Sequence, residues 1–104
     1  MIVEERTYRI AAGRLPDYLG LYQEMGLEIQ KRVLGNLIGY FTTEIGELNH
    51  VVAIWGYDSL DDRLARRKKM MADPAWQEYL KRVDGLLDTQ TSRILIPTEF
   101  SPLQ

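Results

Sequence analysis

The sequence predicts one α+β domain with the ferredoxin-like element order βαββαβ. Two segments carry apolar residues at helical spacing, and the segments between and around them are rich in β-branched and aromatic residues. The length of 104 residues suits a single domain over 1–104 with one hydrophobic core. The rule for split βαβ units then places four strands in one antiparallel sheet, with both helices on one face.

The first strand and the first helix are separated by a glycine-containing turn. A strand is predicted over Ile2–Ile10, whose side chains alternate between two faces. Pro16 fits the first turn of the helix, and Gly35 provides its left-handed end. Gly26 inside the helix predicts a kink or break. The apolar stripe of this helix consists of Leu15, Leu19, Tyr22, Met25, Ile29 and Val33.

A β-hairpin and a helix start follow the first helix. Strands are predicted over Leu37–Glu44 and His50–Tyr57, with a loop between them that contains Gly46. Ser59 and Asp62 have the spacing of a capping box, which predicts that the next helix begins there.

The second helical region has two parts. The first part runs to about Met71, and Asp73-Pro74 starts the second, with Asp as the cap and Pro in the first turn. A last strand is predicted over Thr91–Ile96, ended by Pro97. The amphipathic stripe of the second part consists of Trp76, Tyr79, Leu80, Val83, Leu86 and Leu87.

The second face of the sheet has no helix to cover it in this arrangement. Val, Ile, Trp and Tyr occur at both parities of the strand His50–Tyr57, which predicts an apolar, aromatic surface on the uncovered face. A surface of that kind is expected to be buried against a partner. Two sheets packed face to face would bury it, so the sequence predicts a two-fold homodimer.

Composition excludes several classes of protein. The net charge of −2 does not indicate the positively charged surface that binding to nucleic acid requires. No apolar run reaches the roughly 18 residues of a membrane-spanning helix, and the N-terminal residues do not resemble a signal peptide, so a cytoplasmic protein without membrane contact is expected. With no Cys and one His, neither a metal site nor a cofactor is predicted.

Four residues are candidates for catalysis. Glu4, Arg6 and Tyr8 lie on one face of the first strand, where they could orient an acidic or carbonyl ligand; a structural ion pair is the more common role for such a set. His50, the only imidazole, has a suitable pKa range for general acid–base work. A lone His without a nucleophile or metal partner is more often incidental.

Two further groups of residues could bind a ligand. Tyr40, Trp55 and Tyr57 could line an aromatic pocket between the sheet and the helices, although packing in the core or a dimer interface is the more common role for such residues. A basic run near the start of the second helical region is interpreted as a solvated helix face, with an anion-binding patch as the alternative. It consists of Arg63, Arg66, Arg67, Lys68 and Lys69.

Several short segments, in order along nearly the whole chain, resemble the NIPSNAP family. They are Glu4-Glu5-Arg6-Thr7-Tyr8, Gly39-Tyr40-Phe41, Ile45-Gly46-Glu47-Leu48, Ile54-Trp55-Gly56-Tyr57, Ser92-Arg93-Ile94-Leu95-Ile96-Pro97 and Ser101-Pro102-Leu103-Gln104. The resemblance implies a dimeric α+β barrel and no settled reaction. The chain departs from the family pattern at Glu5, where the pattern has Leu, and at Ala53, where it often has His.

Three functional classes are compatible with the sequence. The leading hypothesis is a homodimeric binding or interaction module. The alternative is an enzyme of the kind found among cofactor-free monooxygenases and isomerases, acting on a small apolar or aromatic ligand. In that hypothesis Arg6 and Tyr8 orient a carbonyl or phenolate, and Glu4 or His50 moves a proton. Binding of haem or another flat cofactor is the weakest of the three.

Overall fold

The computed structural model describes residues 1–104 and contains one four-stranded sheet with helices on one side. The strands are β1 (Ile2–Ile10), β2 (Asn36–Thr42), β3 (His50–Tyr57) and β4 (Leu87–Leu95). Helix α1 (Leu15–Leu21) continues through a π-helical segment (Tyr22–Gly26) into α2 (Leu27–Leu34). Helices α3 (Leu60–Met71) and α4 (Pro74–Val83) lie between β3 and β4.

The strand order β2-β3-β1-β4, with every pair antiparallel, confirms the predicted ferredoxin-like fold. Strand β1 is central, so Glu4 has Trp55 of β3 on one side and Ile94 of β4 on the other. The predicted caps also form, because Ser59 Oγ accepts from the Asp62 amide and Asp73 accepts from the Ala75 amide. Local signals and long-range pairing therefore specify the same topology.

The start of β4 differs from the prediction. The strand begins at Leu87 rather than Thr91, and α4 ends at Val83, so placing Leu86 and Leu87 on the helix was wrong. Asp84 leaves the helical conformation with a ψ of 133°, and Gly85 follows with a φ of +84° in a turn closed by a hydrogen bond from the Leu86 amide to Val83 O. Leu86 is nevertheless buried in the core, as an apolar residue of the turn.

The predicted irregularity at Gly26 is a π-helical segment rather than a kink. A Cβ atom at this position would lie 2.9 Å from Tyr22 Cδ1 and 3.1 Å from the ring of Tyr79. Glycine therefore permits the close approach of α4 to the first helical region. Such segments often occur at functional sites, and this one carries Tyr22 in the layer above the sheet.

The two faces of the sheet differ in composition. Trp55 and Tyr57 both lie on the face covered by the helices and are buried in the core, so the aromatic surface expected on the uncovered face does not come from them. The uncovered face carries Phe41, Val52 and Ile54 along β2 and β3. The uncovered face is therefore apolar along β2 and β3. Along β1 and β4 the same face carries charged and threonine side chains. No helix is both long and apolar enough to cross a bilayer.

Candidate small-molecule-binding site

A cavity of about 260 Å³ lies between the sheet and the helices, beside the π-helical segment. Most of the residues that line it are apolar or aromatic, and they include five of the six tyrosines of the chain. These are Tyr8, Tyr18, Tyr22, Tyr40 and Tyr79. Arg6 and Arg67 are the two cations in the wall. An apolar cavity with a few convergent polar groups is the usual character of a small-molecule site.

The tyrosine rings form a connected cluster. Tyr22 stacks on Tyr40 with ring centroids 4.6 Å apart, and Tyr18 meets Tyr8 edge to face at 6.4 Å. The hydroxyls of Tyr18 and Tyr40 share a hydrogen bond of 2.7 Å, and Tyr22 donates to Gln30 Oε1 at 2.6 Å. Pairing fixes the orientation of the rings that line the cavity.

Burial raises the pKa of Tyr18, Tyr22, Tyr40 and Tyr79 above that of a free phenol. These hydroxyls therefore remain protonated throughout the neutral pH range. In that state each can donate one hydrogen bond to a ligand or to a neighbouring oxygen. The cluster thus offers neutral donors and aromatic surface rather than a phenolate base.

Glu4 is the charged centre of the sheet side of the site. Its side chain is fully buried and accepts hydrogen bonds from Arg6 Nη1 at 3.0 Å, Arg63 Nη2 at 2.7 Å and Ser92 Oγ at 2.6 Å. Arg63 Nε donates to the second carboxylate oxygen at 3.1 Å. Arg6 Nε in turn donates to Tyr8 Oη at 2.8 Å, which links the carboxylate to the tyrosine cluster.

The environment of Glu4 stabilises its ionised form. Burial alone would raise the pKa of the carboxyl, but the hydrogen bonds from Arg63 and Ser92 and the charge of Arg6 outweigh that effect. Together they lower the pKa of Glu4 to about 2. A carboxylate of such low basicity, with both oxygens occupied, is a positioning group and a weak proton acceptor.

The structure brings some of the sequence-predicted residues together and separates others. Glu4, Arg6 and Tyr8 form one hydrogen-bonded chain, and Tyr40 lies in the cavity wall. Trp55 and Tyr57 are buried in the core but do not line the cavity.

His50 stands apart from this group. It begins β3, its side chain is on the parity opposite to that of Trp55, and its ring contacts Leu48 O and Glu47 in the hairpin loop. The imidazole therefore contacts neither the cavity nor the Glu4 cluster.

The sequence interpretation missed Tyr18, Tyr22 and Tyr79 as site residues. They lie on the helix faces that turn towards the sheet, where an aromatic residue usually packs in the core and has no other role. Tyr18 and Tyr22 are four residues apart and therefore lie on one face of the helix. This repeat of tyrosines is the sequence feature that could have indicated a site.

The basic run was assigned to a solvated helix face, and this was wrong for Arg63 and Arg67. Arg63 binds Glu4, and Arg67 lines the cavity. Lys68 and Lys69 are exposed, as predicted. The spacing of four residues places Arg63 and Arg67 on the same side of α3, and the packing of this helix turns that side inward.

A small ferredoxin-like domain with a tyrosine-lined cavity is the class of protein that this fold and site define. The NIPSNAP family model matches residues 3–102, which confirms the resemblance seen in the sequence segments. The chain belongs to the NIPSNAP family. Protein NipSnap of Drosophila melanogaster is 34% identical over 103 residues, covering 99% of this chain and 37% of that protein. The chain thus spans less than half the length of the curated relatives it matches.

Solved structures agree with this assignment. A NIPSNAP family protein of Agrobacterium tumefaciens is 52% identical, with a TM-score of 0.97 over 99% of this chain and 98% of that one. A second NIPSNAP family protein from the same organism, described as having unknown function, is 46% identical with a TM-score of 0.97 and covers 100% and 94%. An antibiotic biosynthesis monooxygenase at 14% identity has a TM-score of 0.64 over 94% of this chain and 99% of its own, and shows the shared fold alone.

Proposed function

We propose that this NIPSNAP domain is a small-molecule-binding module whose ligand is mainly aromatic or apolar. The observation that carries the proposal is the cavity of about 260 Å³ with tyrosines converging from the sheet and both helical regions. An apolar cavity of about 150 Å³ can hold a benzene ring, so this one has room for a small aromatic molecule with a substituent.

The groups around the cavity support binding better than turnover. Glu4 is already engaged by three side chains and is a weak base, and His50 lies on the other face of the sheet. The hydroxyls of Tyr22 and Tyr40 stay protonated, so they do not act as bases. Cofactor-free catalysis remains the second candidate, because protonated phenols beside Arg6 could also stabilise developing negative charge.

A thermal-shift screen with small aromatic compounds tests the proposal. A compound present at about 100 times its Kd stabilises the folded protein by about 2.7 kcal/mol, so a rise in Tm of several degrees is expected. Leu80→Trp places a large side chain in the cavity wall and is expected to abolish the shift. Lys81→Trp adds the same group at the adjacent exposed position and is expected to leave the shift intact.

Two results separate the alternatives in that screen. If no compound raises the Tm of the unmodified protein, or if Leu80→Trp retains the full shift, the cavity is not a binding site. Incubation of any binding compound with the protein, followed by NMR of the compound, distinguishes binding from turnover, because a bound ligand is recovered unchanged.

We also propose that the domain forms a homodimer through the uncovered face of its sheet. Phe41 is 55% exposed on that face, and Val52 and Ile54 lie beside it on β3. Strand β4 is exposed on both faces, and the segment after it carries Ile96 and Phe100, which are 79% and 89% exposed. Apolar groups so distributed are typical of a surface that a second subunit covers.

Phe41→Glu is expected to convert the dimer to a monomer, because a carboxylate would be buried against an apolar partner surface. Sedimentation equilibrium at micromolar concentration gives the mass directly. Leu64→Glu, at a helix position of similar exposure away from the sheet, is the control and should remain dimeric. A single-chain mass for the unmodified protein would refute the dimer.

A further inference from the structure

Arg67 is an arginine without a partner in the wall of the cavity. It is partly buried on α3, forms no hydrogen bond with another side chain or carbonyl, and contacts no carboxylate. Each of the other eight arginines lies within ion-pair distance of an acidic residue. Partial burial weakens the hydration of a guanidinium, so this unpaired arginine is suited to a partner of opposite charge.

The charges around Arg67 do not supply that partner. Glu4 is the only carboxylate whose charge acts on the Arg67 guanidinium. Arg6 and Arg63 already occupy both oxygens of Glu4. Burial lowers the pKa of Arg67, and the nearby charge of Arg6 lowers it further. Two guanidiniums therefore contact this carboxylate and a third lies nearby, which leaves an excess of positive charge at this end of the cavity.

Two further groups near these charges have unused hydrogen-bonding capacity, and of the two only Arg6 lines the cavity. Arg6 uses Nε and Nη1 for Tyr8 and Glu4, and its Nη2 donates to no protein atom. The hydroxyl of Tyr57 is buried without a hydrogen-bond partner, and its charged neighbours are Glu4, Arg67, Arg63 and Arg6. Native proteins rarely leave a buried donor such as the Tyr57 hydroxyl unpaired.

We propose that Arg67, with Arg6 beside it, binds the carboxylate of an aromatic carboxylic acid whose ring lies among the cavity tyrosines. This inference rests on the proposed function and specifies its ligand class. A planar guanidinium matches the two oxygens of a carboxylate, and such charge-assisted pairs are stronger than neutral ones. Trp76, Leu80 and Val83 form an apolar wall of the same cavity, which suits the uncharged part of the ligand.

Matched acid and amide pairs test the inference by calorimetry. The probes are 2-naphthoate with 2-naphthamide and 3-phenylpropionate with 3-phenylpropionamide, which differ in charge but hardly in size. The acid of at least one pair is expected to bind about tenfold or more tightly than its amide, as a charged hydrogen bond of about 1.5–3 kcal/mol implies. Phenyl phosphate, tested alongside, is expected to bind more weakly than the carboxylates.

Substitution of Arg67 assigns the preference to this side chain. Arg67→Gln is expected to remove the preference for the acid while the amide still binds, and Arg67→Lys to retain part of it. Lys68→Gln removes the same charge from the exposed side of α3 and is expected to preserve the preference. Circular dichroism of each variant confirms that it is folded.

The outcomes separate this inference from the proposed function. Equal binding of acid and amide to the unmodified protein would overturn the carboxylate site and leave the cavity as a binding site. A preference that survives Arg67→Gln, or that Lys68→Gln abolishes equally, would also overturn it. Tighter binding of phenyl phosphate would replace the carboxylate with a phosphate. Binding of no compound in either pair would reject both the cavity and the inference.

Discussion

Glu4→Gln is expected to lower the free energy of unfolding by about 3–5 kcal/mol, the usual cost of breaking a buried ion pair from one side. Glu4 is fully buried and is the sole carboxylate bound to Arg6 and Arg63. The amide keeps the shape of the side chain but leaves both guanidiniums without their counter-charge. Urea unfolding, followed by tryptophan fluorescence, measures the change.

Glu5→Gln is the matched control, because it makes the same change one residue along the strand on the uncovered face. Glu5 pairs with Arg93, whose side chain is 67% exposed, and a pair of this kind contributes about 0–1 kcal/mol. If the two variants lose equal stability, the Glu4 cluster is not the dominant ion pair of the fold.

Acidification provides a second measure of the same contribution. The pKa of Glu4 is about 2 in the folded protein against an ordinary value of 4.5, so the unfolded chain binds its proton first as the pH falls. The stabilisation is therefore complete above about pH 4.5 and is lost between that pH and about 2. The Glu4→Gln variant lacks this component, so its stability should vary less with pH across the window.

The sequence was sufficient to predict the topology because each element carries its own signals. Caps at Ser59 and Asp73 and the helical stripes are local, and the order βαββαβ leaves few allowed arrangements. The end of α4 was misplaced because Leu86 and Leu87 continue the apolar spacing past Gly85. Periodicity alone cannot distinguish a helical residue from a buried residue in the following turn.

The site was only partly predictable for a different reason. Alternation along β1 placed Glu4, Arg6 and Tyr8 on one face, because strand geometry fixes which side chains are neighbours. The contact between Glu4 and Arg63 joins residues 59 positions apart. It depends on how α3 packs on the sheet, and no local pattern in a single sequence specifies which face of a basic helix turns inward.

Trp55→Ala is expected to be as damaging as Glu4→Gln, with a loss of about 3–5 kcal/mol, because a large aromatic side chain is removed from the core. Trp55 is 1% exposed and is the largest fully buried side chain of the protein. Its truncation leaves a cavity in the layer between β3 and the helices. Leu64→Ala, at a half-exposed position of α3, should change the stability by less than about 1 kcal/mol.

The position of Trp55 predicts that the losses of stability caused by Trp55→Ala and Glu4→Gln are not additive. The two residues are direct cross-strand partners on one face of the sheet, where their Cβ atoms stand about 4.5–5.5 Å apart. The indole therefore helps to exclude water from the carboxylate, and a drier environment strengthens the ion pairs to Arg6 and Arg63. Once Trp55→Ala admits water, Glu4→Gln should cost at least about 0.5 kcal/mol less than it does in the unmodified protein. Additive losses in urea unfolding of the double variant would show instead that the charge cluster and the aromatic core stabilise the fold independently.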